Sequence, residues 1–148
     1  MKRRGMMKGR VGSLFVFAAF FALLFSNAAR AAQTAEELAV KAAAKWLAMV
    51  DEGKYSESWA DAAQIFKGAV TAEQWKSSLS SVREPLGKPI SRNITSKKFT
   101  TSLPGAPDGE YVVIQYGTSF ENKRSAVETV TPMLDKDGKW RVSGYYIK

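Results

Sequence analysis

The chain predicts an α+β domain in which three helices pack on a curved, cone-like four-stranded antiparallel meander. Two observations carry this. Helical apolar spacing fills the chain before Gly87, and threonine-, valine- and aromatic-rich segments divided by turn residues fill it from Ile90 onward. A third is the length, which leaves room for one core and shows no repeat or linker that would mark a second.

Ahead of this domain lies a different kind of segment. Met1 to Arg10 is basic without one acid, and Leu14 to Phe25 is apolar without a break, ending at Ser26-Asn27. A membrane-spanning helix needs roughly 20 apolar residues, so this shorter run reads as a cleavable export signal. Ala29-Arg30-Ala31 offers small residues at the positions a signal peptidase reads, and cleavage is expected between Ala31 and Ala32. The expected division is a signal peptide over 1–31 and one domain over 32–148, soluble in the periplasm or secreted, with no membrane anchor kept after cleavage.

The first helix opens at the capping-box pattern Thr34-Ala35-Glu36-Glu37, and Leu38, Ala42, Ala43, Trp46, Leu47 and Val50 follow at helical spacing until Asp51-Glu52-Gly53. A second runs from Tyr55 to Phe66, with Tyr55, Trp59, Ala62 and Phe66 on one face. The third opens at a second capping box, Thr71-Ala72-Glu73-Gln74, turns Trp75, Leu79 and Val82 inward, and stops at Pro85 and Gly87.

Four strands follow, over 94–103, 110–120, 125–134 and 139–147, joined by the loop 104–109 and the turns 121–124 and 135–138. With an even number of residues in each tight turn, Val112, Ile114, Tyr116, Thr118 and Phe120 share the covered face with Val127, Thr129, Thr131, Met133, Trp140, Val142, Gly144 and Tyr146. The other face then carries Tyr111, Val113, Gln115, Glu128, Val130, Arg141, Tyr145 and Ile147, apolar enough for a subunit interface. Pro132 lacks a ladder donor and marks a bulge or strand end.

The motifs Trp46-Leu47 through Gly53, Tyr55 and Trp59, Thr101 to Tyr111, Glu128-Thr129-Val130 and Asp137 to Tyr146 resemble the exported bacterial family catalogued as domain of unknown function 4019. The three-helix, curved-sheet plan is similar to the nuclear-transport-factor-two-like cone, a scaffold used by isomerases, dehydratases and many non-enzymatic domains. The family resemblance implies export and a single domain and carries no activity with it.

Composition narrows the chemistry. There is no cysteine and no histidine, which excludes disulfides, thiol catalysis, the Ser-His-Asp arrangement and the commonest metal ligand. No metal and no cofactor is expected. The formal charge of +8 comes mostly from Lys2, Arg3, Arg4, Lys8, Arg10 and Arg30; the rest of the chain holds 16 basic and 14 acidic residues, interspersed, so nucleic acid is not an expected partner.

The candidate pocket lining is Trp59, Tyr116, Thr129, Thr131 and Tyr146, polar and aromatic positions of the covered face. The candidate interface is Gln115, Glu128, Arg141 and Tyr145, with Glu128 paired to Arg141 or to a second copy. The expected function is a non-enzymatic module that binds a small apolar ligand or an envelope protein, or pairs as a homodimer. The alternative is a histidine-free isomerase or lyase using a buried carboxylate and tyrosines, with Glu128 or Asp61 as its acid.

Overall fold

A computed structural model describes residues 35–148. The expected export segment, its expected cleavage point between Ala31 and Ala32, and Thr34 of the first expected capping box lie outside the described residues. The order is helices then strands: α1 over 35–51, α2 over Tyr55–Ala60, α3 over Gln64–Ala69, α4 over Ala72–Leu86, then β1 over Pro89–Thr100, β2 over Tyr111–Phe120, β3 over Lys123–Leu134 and β4 over Trp140–Ile147. The sheet is an antiparallel meander in the order β1-β2-β3-β4, which leaves β1 and β4 as edges.

Among the described residues there are four helices where the sequence predicts three, because the expected second helix breaks after Asp61. Ala63 takes an extended backbone, and its N–H donates to Val142 O on β4 at 2.8 Å. Gln64 N–H, the first of α3, donates to Asp135 Oδ2 at 3.1 Å. A tertiary partner for each donor outweighs the local helical preference. In α1 the inward stripe is Ala39, Ala43, Trp46, Leu47 and Val50, one residue out of phase with Leu38, which stays 49% exposed. The Thr71 capping box forms as expected, with Thr71 N–H donating to Gln74 Oε1 at 3.0 Å and Gln74 N–H to Thr71 Oγ1 at 3.2 Å.

The core gathers Trp46, Leu47, Val50, Trp75, Leu79, Val112, Ile114, Tyr116, Val130 and Val142 between helices and sheet. Two of its indole N–H groups meet on one serine: Trp46 Nε1 donates to Ser58 O at 2.8 Å, Trp75 Nε1 to Ser58 Oγ at 3.0 Å, and Ser58 Oγ to Tyr55 O at 2.7 Å. Two indole donors are thereby satisfied without water.

The principal correction to the sequence reading is the register. Phe120 pairs with Lys123 across a two-residue turn, but Thr118 pairs with Ala126, so β3 carries one residue more than β2 over that interval. This bulge flips every later side chain of β3 to the other face. Ala126, Glu128 and Val130 therefore face the core beside Thr118, Tyr116 and Ile114, whereas Val127, Thr129 and Thr131 belong to the outer face. A second bulge, opposite the step from Thr131 to the proline as expected, leaves Ser143 of β4 unpaired and returns the phase of β4, so Trp140 and Val142 lie inward as the sequence predicts, while Met133, expected inward, stays on the outer face opposite Tyr111. Tyr145 and Ile147 face inward as well, against expectation, and Tyr146 points out at 50% exposure. On the outer face, Tyr111 is covered by the 104–109 loop, where its hydroxyl donates to Pro107 O at 2.7 Å.

Candidate functional site

The flip of β3 puts a carboxylate into the core. Glu128 is fully buried. Its Oε1 accepts from Arg92 Nε at 2.7 Å and from Thr118 Oγ1 at 2.6 Å; its Oε2 accepts from Arg92 Nη2 at 3.3 Å and from the Tyr145 hydroxyl. Arg92 reaches Glu128 because it pairs with Thr118 across β1 and β2, directly beside the Glu128–Tyr116 pair. Its other edge grips Asp51 of α1 in a fork, Nη1 to Oδ2 at 2.7 Å and Nη2 to Oδ1 at 2.9 Å.

Asp51 also accepts from Arg83 Nη2 at 2.7 Å. Arg83 occupies the inward stripe of α4 after Trp75 and Leu79, only 4% exposed, and lies over the Phe120 ring at 5.0 Å. Val82, predicted to face in, is consequently displaced to the surface at 47% exposure. Two guanidinium groups and two carboxylates thus form a neutral cage joining α1, α4, β1 and β3.

The titration of these groups follows from the cage. Burial raises the Asp51 carboxyl, but hydrogen bonds from Arg92 and Arg83 outweigh it and hold it below the usual carboxylate range. Burial opposes the charge on Arg92, yet its bonds to Asp51 and Glu128 raise it further above its ordinary value. Tyr145 is pushed far up by burial and then by the Glu128 charge, and Tyr116 is raised chiefly by burial. All four acceptor positions of the Glu128 carboxylate are filled by Arg92, Thr118 and Tyr145.

The second feature is an apolar groove of about 220 Å³ between α4 and the end of β4, lined by Trp75, Ser78, Leu79, Val82, Tyr145, Tyr146 and Ile147. Among the sequence-predicted pocket residues it contains Tyr146. Tyr116 is in the core as expected, while Trp59 packs against the core and donates to Val70 O at 2.9 Å. Thr129 and Thr131 lie on the outer face, Thr129 buried between Gln115 and Tyr146. The five do not converge.

Of the predicted interface residues, Glu128 and Tyr145 belong to the cage. Arg141, expected beside Glu128, instead forks onto Asp137 at 2.7 and 2.8 Å and touches Asp135 at 3.3 Å. Gln115 remains on the outer face, accepting from Ser96 Oγ at 3.3 Å. Asp61 rims a cleft with Lys45, Trp140 and Arg141, its carboxylate 3.9 Å from Lys45 Nζ. The sequence reading missed Asp51, Arg83 and Arg92. Arg83 had a signal, its fourfold spacing from Trp75 and Leu79; Arg92 sat ahead of the predicted first strand and had none.

Among the described residues no group of three or more His, Cys, Asp or Glu is placed to hold a metal, and no helix is long and apolar enough to cross a membrane. Fold and site define a small α+β domain with a charge-neutral buried ion cage and an open apolar groove, a plan consistent with the nuclear-transport-factor-two-like cone. The chain belongs to the family DUF4019, protein of unknown function, whose model matches residues 42–145. No curated protein matches the sequence.

Proposed function

We propose that this protein is an exported, non-catalytic binding domain that receives an apolar group in the groove between α4 and β4. The observation that carries the reading is the groove itself: Trp75, Leu79, Val82 and Ile147 line an open depression with no acid, lysine or arginine among its lining residues. Export rests on the basic start, the apolar run and the Ala29-Arg30-Ala31 pattern. The isomerase or lyase reading is the weaker one, since Glu128, its buried acid, is occupied by its own protein donors.

The apolar dye N-phenyl-1-naphthylamine tests the groove. Its fluorescence should rise on binding, and Val82→Glu at the exposed rim should abolish the rise while leaving the fold intact. No binding, or binding indifferent to Val82→Glu, would remove the groove from the function. Periplasmic fractionation with intact-mass measurement tests export, and a mass beginning at Met1 would refute it.

A further inference from the structure

We infer that the occupant of the groove is an extended polypeptide segment that pairs with the free edge of β4 and lodges an apolar side chain against Trp75, Leu79 and Ile147. This rests on the groove being the binding site and adds what binds there.

The edge supplies the first argument. Val127 and Lys148 exchange N–H···O bonds, both at 3.0 Å, so Lys148 turns its backbone groups toward β3. Antiparallel ladders alternate, so Tyr146 and Gly144 also turn toward β3 while Tyr145 and Ile147 present N–H and C=O to the opposite side. Beyond β4 the sheet has no further strand among the described residues. The same two residues line the groove, so free backbone and apolar floor adjoin. An unpaired strand edge is a template for another chain.

The fold already uses this edge in the proposed way. Higher up β4, extended Ala63 donates its N–H to Val142 O at 2.8 Å. Among the described residues the edge is thus closed at Val142 and open over Tyr145 to Ile147.

Size and charge specify the occupant further. At about 220 Å³ the groove is smaller than the roughly 300–1,000 Å³ typical of small-molecule sites, and suits one or two aliphatic side chains of a longer ligand. Lys148 stands at its end, its Nζ 5.7 Å from the Tyr146 ring centre, and Lys123 and Arg124 are exposed on β3 beyond its last β4-paired residue. None of the three has an acidic partner among the described residues. The segment is therefore apolar at alternate positions and acidic at one end.

The test titrates the protein with a fluorescein-labelled synthetic peptide of alternating valine and threonine ending in two aspartates. A second peptide is identical but N-methylated at alternate amides. The first should bind and protect the Tyr145 and Ile147 amides from hydrogen exchange. N-methylation, by removing about two edge hydrogen bonds, should weaken binding at least about tenfold. Added salt should weaken it as well. Equal binding of both peptides, or no peptide binding while the naphthylamine dye still binds, overturns strand pairing and leaves the groove reading standing. Loss of dye binding as well removes both. Self-association with Tyr145 and Ile147 protected in the absence of peptide would replace the peptide with a second copy and overturn the proposal.

Discussion

Removing the Arg92 side chain should be among the most costly single changes in this domain. Arg92→Ala deletes both bonds to Glu128 and both to Asp51, leaving a fully buried carboxylate held only by Thr118 and Tyr145. Breaking a buried pair from one side costs about 3–5 kcal/mol, because the remaining charge stays desolvated without its counterion. Against a total stability of about 5–15 kcal/mol, the variant would be marginal. The double variant Arg92→Met with Glu128→Leu removes both charges from the Glu128 end of the cage and should recover at least about 2 kcal/mol relative to Arg92→Ala, because no buried charge is orphaned there. Urea unfolding followed by tryptophan fluorescence reads these differences, with Trp46 and Trp75 both in the core. A loss below about 1 kcal/mol for Arg92→Ala, with unchanged urea dependence, would refute the reasoning: the cage would then be electrostatically idle.

Three further expectations follow from the same geometry. Asp51 titrates lower folded than unfolded, so its contribution is complete above the ordinary carboxylate pKa of about 3.9 and is lost as the pH falls below it; Tyr145, raised in the folded state, should cost stability as the pH climbs past about 10. Urea midpoints across pH would check both arms, and a flat acid arm would contradict the Asp51 assignment. Ser58→Ala should cost about 1–3 kcal/mol by orphaning the buried Trp75 indole N–H, measurable as a lower urea midpoint. Gly87→Ala should destabilise by at least about 1 kcal/mol, since φ is +75° there and an added Cβ would come within 2.9 Å of Glu121 Cβ; an unchanged melting temperature would show that the β2–β3 turn yields freely.

How much of this was legible in the chain divides along the range of the forces involved. The Thr71 capping box and the strand composition after Gly87 are local signals, and they fold as the sequence predicts. The break at Asp61 was not legible, because it exists to feed Ala63 and Gln64 donors to Val142 and Asp135, more than 70 residues away. The candidate site fared worst, since face assignment depends on a parity that one bulged residue inverts. Thr129 and Glu128 exchanged faces for that reason alone. Glu128 stood out in the sequence as an acid inside a strand, but its counterion Arg92 is 36 residues distant and no periodicity links the two.

The ion cage also bears on time. Its bonds join residues 32, 36 and 41 positions apart, on α1, α4, β1 and β3, so it cannot close until helices and sheet have docked. Interactions completed that late lie on the native side of the folding barrier, where they hold back escape without hastening arrival. The cage is accordingly a brake on unfolding. Its loss should shorten the lifetime of the native state while the refolding rate stays nearly constant, and native-state lifetime sets resistance to proteases whenever cleavage outpaces reclosing.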